Sequence, residues 1–177
     1  MKVFIHTNNK QLFGAYIFKY SILKNNDDLK NKDIEIINVD SNNFFDSKND
    51  RTIIRGGKKY IWKKNDLQSF TLLRFFPPSI MNYEGFSMVI DPDIFSANNF
   101  TKLYKQFNKN IPIMAKINNE KNISTSLMIF NNKLCEKLQL TSKVNKVLDG
   151  KMDYNELMNL NFIKKDDLQP LTKKWNS

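Results

Sequence analysis

The residues best suited to chemistry are two carboxylates, Asp91 and Asp93, in the stretch Phe86 to Phe95, FSMVIDPDIF. An apolar, branched run of Met88, Val89 and Ile90 leads straight into them and reads as a buried strand. Side chains at the carboxyl end of a strand project into the crevice where open α/β sheets bind ligands. Pro92 fixes its own φ and biases Asp91 towards an extended backbone, so the strand is expected to run up to the acids. Two carboxylates spaced i, i+2 can reach a hard divalent cation directly or through water, and oxygen ligands suit Mg²⁺ or Mn²⁺. The motif by itself is weak. The chain has 13 Asp in 177 residues, so chance supplies about one Asp-x-Asp pair. Asp-Pro is also an ordinary turn opener.

His6, Thr7 and Asn8 end an earlier apolar run, Val3-Phe4-Ile5, at the position where strand ends meet ligands. Thr and Asn there can hydrogen-bond a base or a ribose. They can equally cap the helix that follows. Arg74 sits among apolar residues in SFTLLRFF. An arginine there is costly to bury unpaired and should reach a phosphate or a carboxylate, either Asp66 or an acid of the site. With 1 His and 1 Cys in the chain, no zinc spacing exists and no Cys/His cluster can form. No G-x-S-x-G elbow is present, so a nucleophilic hydrolase is not expected. With 5 Gly, both G-x-G-x-x-G and the P-loop are absent. A bound phosphate would therefore have to be held by a metal and basic side chains.

Composition narrows the partners. The net charge is +10, from 28 Lys+Arg against 18 Asp+Glu. The basic residues are scattered in short pairs, so dedicated nucleic-acid binding is not expected. The balance still admits a nucleotide, or peripheral contact with an anionic membrane face. Apolar residues make up 41%, enough for a real core, and no run is long enough to span a bilayer. The start, MKVFIHTNN, lacks a signal-peptide core, and single Cys135 fits a reducing compartment. The expected location is cytoplasmic, with a peripheral position at the inner membrane face compatible with the charge.

The elements that must position these residues follow from periodicity. Lys2 to Thr7 reads as a first strand. Lys10 to Lys24 has helical spacing, with Leu12, Tyr16, Tyr20 and Leu23 on one apolar face and Phe13 and Ile17 beside it. Asp33 to Val39 is a second strand, completing a βαβ unit that is normally parallel. Asp40 to Lys59 is polar with few periodic cues and a turn at Gly56-Gly57. Asp66 to Phe76 reads as a helix with Leu67, Phe70, Leu72, Leu73 and Phe76 inward, stopped by Pro77-Pro78. After the central strand, Phe86 to Ile90, come a short helix (Phe100 to Phe107) and two strands (Ile111 to Ile117, Ser124 to Phe130). A helix near Lys133 to Leu138 follows, then two more (Thr141 to Leu148, Asp153 to Leu160) split by Gly150. The tail from Lys164 is polar, with Pro170 and Trp175. This alternation predicts an α/β fold with a mostly parallel central sheet and helices on both faces.

The order of these features resembles a GT-A glycosyltransferase domain, closest to the family 8 type of retaining nucleotide-sugar transferases. The stretch DLQSFTLLRFFPPSIMNYEGFSMVIDPDIF carries most of the likeness, which extends weakly over residues 1–177 as a single domain. The resemblance implies that Asp91 and Asp93 bind Mn²⁺ or Mg²⁺ on the donor diphosphate. It gives Arg74 a contact to the donor sugar or phosphates, and the turn at His6, Thr7 and Asn8 the nucleoside. Ser124, Thr125 and Ser126 fall on an Asn-small-Gly segment that lines the sugar pocket, with the Gly replaced. Asp153 falls on an acid that accepts from a sugar hydroxyl, although Tyr154 departs from the Asp-Gln pattern. The implied donor is a nucleoside-diphosphate sugar, a UDP-sugar first, and the acceptor a hydroxyl of a glycan, lipid or protein. The family continues past a segment like Trp175-Asn176 into a His-x-x-Gly-x-x-Lys-Pro-Trp element that supplies a third metal ligand. Ser177 ends the sequence before it. Three readings follow: a C-terminally truncated piece, a site working with two carboxylates, or a domain that binds nucleotide-sugar or glycan with little or no turnover.

Overall fold

The computed structural model describes residues 1–93, 99–119 and 122–171, with Phe100 described in its backbone only. The apolar pair Ile94-Phe95 and the Trp175-Asn176 segment lie outside the described residues. The chain opens with β1 (Lys2–Thr7), α1 (Leu12–Asn25) and β2 (Ile34–Asn38). A hairpin of β3 (Arg51–Arg55) and β4 (Lys58–Trp62) follows, then the short α2 (Pro77–Ile80) and β5 (Phe86–Ile90). Next come α3 (Phe100–Tyr104), β6 (Ile113–Asn119) and β7 (Asn122–Asn131). The chain closes with α4 (Asn132–Cys135), α5 (Leu140–Leu148), α6 (Tyr154–Met158) and β8 (Leu168–Pro170).

Among the described residues, six strands form one sheet in the order β2-β1-β5-β7-β6-β8. β1 pairs parallel with both β2 and β5, with Val3 opposite Ile34 on one side and Met88 on the other. β7 alone runs against its neighbours β5 and β6, and β8 is again parallel to β6. The expected α/β architecture, with a mostly parallel sheet, is what the chain adopts. Alternation within the strands sends residues to two cores. Val3, Ile5, Met88 and Ile90 meet Ala15, Phe18 and Ile22 of α1 and Leu103 of α3. Phe4, Val89, Met128 and Phe130 meet Phe70, Leu72 and Leu73, with Val144, Val147 and Leu157 of α5 and α6 in the same core. Helices therefore cover both faces. Placing β1 and β5 side by side and parallel brings the ends His6-Thr7 and Asp91 to one edge, which is what creates the site.

Four expectations change. The α1 face singled out by spacing is turned largely to solvent: Phe13, Tyr16, Ile17 and Tyr20 are exposed, and Ala15, Phe18 and Ile22 are buried. The helix is apolar on both sides, so periodicity could not choose between them. Second, Asp66 to Phe76 is no α-helix; Ser69–Phe75 forms a 3₁₀ helix, and Leu67 is exposed. Pro77 has no N–H for the Leu73 carbonyl, which accepts from the Phe76 amide at 3.1 Å instead. Third, the polar stretch Asp40 to Lys59 holds β3 and the start of β4, turning at Gly56 and Gly57 with φ of 58° and 76°. Fourth, the polar tail supplies the edge strand β8.

Candidate active site

The strand end after β5 is built around a buried ion pair. Arg74 donates from Nε to Asp91 Oδ1 at 3.0 Å and from Nη2 to Oδ2 at 2.6 Å. The planar guanidinium thus grips the carboxylate with two parallel bonds. Both side chains are only 14% exposed. His6 Nε2 lies 2.8 Å from the same Oδ1. At that distance the imidazole must carry its proton on Nε2 and donate it, so the Arg74 Nε–H goes to Asp91 and not to His6 Nε2 at 3.2 Å. Nδ1 is then a bare acceptor, fully buried and without a hydrogen-bond partner among the described residues. Burial lowers the His6 pKa and holds the ring neutral, against the pull of Asp91. Burial works the other way on Asp91, but His6 and Arg74 outweigh it, so its pKa is lowered and it stays ionised.

Of the alternatives open for Arg74, the structure selects the site acid over Asp66. Its 3₁₀ segment faces the end of β1, and Phe70 of that segment packs on His6 with ring centroids 5.2 Å apart. Arg74 Nη1 reaches Thr125 Oγ1 at 3.1 Å and Met158 Sδ at 3.8 Å. Thr125 comes within reach because the β6–β7 pairing is irregular. Ala115 faces Met128, yet the next residue, Lys116, faces Ser124. A bulge of this kind re-aims side chains, and here it separates the Ser-Thr-Ser run. Thr125 points at Arg74 while Ser124 and Ser126 hydrogen-bond each other at 2.8 Å. The Asp91 amide donates to the Ser126 carbonyl at 2.9 Å, pinning the acid to β7.

The remaining expected residues divide. Thr7 and Asn8 are buried and spoken for. The Thr7 hydroxyl donates to the Asn8 carbonyl, and the Asn8 amide to the carbonyls of Asp66 and Leu67 at 3.1 and 3.0 Å. Asn8 Oδ1 accepts from the Gln11 amide at 3.0 Å, so its side chain braces the turn before α1, whose N-cap is Gln11 with no side-chain cap bond. Asp93 is exposed in the turn that follows β5. Asp153 is the N-cap of α6 and a clamp on the hairpin. It accepts from the Asn155 amide at 2.7 Å and from the Gly56 and Gly57 amides at 3.1 and 2.8 Å. These three amides are the partners of its carboxylate.

Sequence reasoning missed Met158 and Tyr154. Their i, i+4 spacing puts both on one face of α6: Met158 against Arg74, and Tyr154 Oη 2.8 Å from Thr71 Oγ1. Nothing in their residue types advertises this.

The donor set accepts a cation only in company. Asp91 Oδ1 takes two hydrogen bonds and is full, whereas Oδ2 takes one and keeps a lone-pair direction. Asp93 is open to solvent. Among the described residues no group of three or more His, Cys, Asp or Glu side chains could hold a metal. Two carboxylates, one already paired with Arg74, could hold Mg²⁺ or Mn²⁺ only if oxygens from outside the chain completed the shell.

With this geometry in place, solved structures supply a comparison. The glycosyltransferase GlyE of Streptococcus pneumoniae TIGR4 is similar over 98% of this chain, with a TM-score of 0.65 and 17% identity. The galactosyltransferase LgtC, solved in complex with donor and acceptor sugar analogs, is similar over 95%, with a TM-score of 0.63 and 11% identity. Mouse xyloside xylosyltransferase 1 is similar over 96%, with a TM-score of 0.57 and 10% identity. The fold is GT-A-like. The chain spans 45% of GlyE, 72% of LgtC and 84% of the xylosyltransferase. No protein-family profile and no curated protein matches the sequence. Among the described residues, no helix is long and apolar enough to cross a membrane.

Proposed function

We propose that this chain is a glycosyltransferase domain of the family 8 type, moving a hexosyl group from a nucleoside-diphosphate sugar, a UDP-sugar first, to an acceptor hydroxyl with retention. The observation that carries this reading is the Arg74–Asp91–His6 cluster, set at the ends of β1 and β5 in a GT-A-like fold. A strand-end acid pair in that position is suited to a donor diphosphate that brings its own Mn²⁺ or Mg²⁺. When bound, such a cation would offset charge on the departing nucleoside diphosphate.

The chain's own residues divide the remaining work. His6 and Arg74 hold Asp91 in one orientation and keep it ionised at neutral pH. Asp91 Oδ2 and exposed Asp93 offer the oxygens that a phosphate-bound cation needs. Arg74 has five N–H donors: Nε and Nη2 each give one to Asp91 and Nη1 reaches Thr125 and Met158, which leaves one N–H of Nη2. It therefore positions Asp91 and can still meet a phosphate oxygen. Thr7 and Asn8 act by shaping the turn, which a nucleoside would meet through backbone groups. The acceptor is a glycan, lipid or protein hydroxyl, and the proposed setting is the cytoplasm.

The test is calorimetric titration of UDP, UDP-hexoses and GDP-sugars into the protein, with Mn²⁺ and with EDTA. Asp93→Asn, at an exposed position, is the control that spares the buried pair. Binding that needs Mn²⁺ and is lost in Asp93→Asn supports the donor site. Absence of binding by every nucleotide in both conditions would sink it.

A further inference from the structure

The outer face of α1 is unlike the rest of the surface. Phe13, Tyr16, Ile17 and Tyr20, at i, i+3, i+4 and i+7, are 77%, 58%, 41% and 66% exposed and line one side of the helix. Single exposed hydrophobes are ordinary, but a contiguous stripe of large ones marks an interaction surface. The opposite side already fills a core through Ala15, Phe18 and Ile22, so the stripe is surplus to the packing of this domain.

We propose that this stripe docks on an anionic membrane surface. Three observations select that occupant over a second copy of the chain. The first is charge. Lys24 is exposed at the C-terminal end of the stripe and on the same side of the helix, by the 100° step from residue to residue. Lys102 of α3 and Lys105, the residue that ends it, are also exposed, and α3 packs on the same face of the sheet. Asp27 and Asp28 are the opposing acids in the loop after α1, where Asp28 accepts from Thr101 at 3.3 Å. The chain as a whole carries +10. Two such faces brought together would repel, whereas a surface of anionic headgroups attracts them. The second is residue type. Phe and Ile insert, while Tyr pairs an apolar ring with a hydroxyl that stays wet, the combination suited to the headgroup boundary. The third is position. A Cβ on Gly14 would lie 3.6 Å from the Pro92 carbonyl, so the N-terminal part of α1 borders the Asp91-Pro92-Asp93 turn. A membrane held on the stripe would bring the candidate active site close to the bilayer surface.

The test is co-sedimentation with phosphatidylcholine vesicles, with and without phosphatidylglycerol, for the native chain and for Phe13→Ser/Tyr20→Ser. Both positions are exposed, so circular dichroism should be unchanged. The expected result is pelleting with the anionic vesicles, weakened by salt, and reduced by about tenfold or more in the double variant. A Phe13→Trp variant should show blue-shifted emission on anionic vesicles. Failure to pellet, or equal pelleting by the double variant, would overturn the proposal. So would self-association by sedimentation equilibrium that the double variant abolishes without any lipid-dependent shift, because the occupant would then be a second copy. None of these readouts depends on nucleotide binding, so the proposal and the donor-site assignment fail separately.

Discussion

At the scale of single residues, Arg74 is the keystone of the site. It touches Asp91, Thr125 and Met158 from three different elements. Removing it leaves an ionised carboxylate with little solvent and one neutral partner, the situation in which a broken buried pair costs most. Arg74→Ala should lower unfolding stability by about 3 kcal/mol, read as a fall in the urea midpoint with the slope unchanged. Arg74→Lys keeps the charge but not the two-pronged grip, and should recover only part of that loss. A variant at Ser124 or Ser126 should be nearly neutral, since each hydroxyl answers mainly to the other. If Arg74→Ala were as stable as the native chain, the ion pair would not organise this strand end.

At the scale of elements, Asp153 ties α6 to the β3–β4 hairpin. Its slight burial works to raise the pKa, but the amides of Gly57, Gly56, Asn155 and Glu156 outweigh it, so the folded value is lowered. A lowered carboxyl contributes stability that is present above its unfolded pKa and is lost as pH falls through the folded one. Asp153→Ala should therefore be less stable than the native chain by about 1 kcal/mol at neutral pH. The gap should narrow in acid, as followed by thermal melts across pH. Hydrogen exchange at the Gly56 and Gly57 amides should quicken in the same variant, because those donors lose their acceptor. The elements also show what the sequence could and could not disclose. β1 and β5 were legible to the residue, because a buried parallel strand is a short apolar run bounded by polar residues. The acids after β5 and the arginine before it were legible for the same reason: charges at apolar borders stand out. The α1 orientation was not, because both of its sides are apolar and only the sheet decides which is covered. Nor was the clamp role of Asp153, since it depends on the Gly56-Gly57 turn, nearly a hundred residues earlier, folding back onto it. Thr125 was named by the resemblance, but its contact with Arg74 depends on the β6–β7 irregularity, which leaves no local signature.

At the scale of the whole molecule, the site exists only when the sheet is assembled. His6, Arg74, Asp91, Thr125 and Met158 come from the first strand, the middle and the last helix. A ligand that bridges them should therefore stabilise the entire fold, not one segment. On the proposed function, the site would tie two ligands together. Asp91 and Asp93 without phosphate oxygens make a poor cage, and a diphosphate without a cation meets a lowered-pKa carboxylate of its own sign. Each ligand should thus bind weakly by itself and strongly with the other, and the enhancement must be reciprocal because the coupling is a single free energy. In thermal melts, Mn²⁺ or UDP added singly should move the midpoint little. Together, at about a hundred times the dissociation constant, they should stabilise the fold by about 2.7 kcal/mol. EDTA should reverse the gain, and Asp93→Asn should abolish it while leaving the unliganded midpoint near the native value. Equal shifts from Mn²⁺ with and without nucleotide would mean that the cation has a complete site of its own, and the shared-shell account of Asp91 and Asp93 would have to be given up.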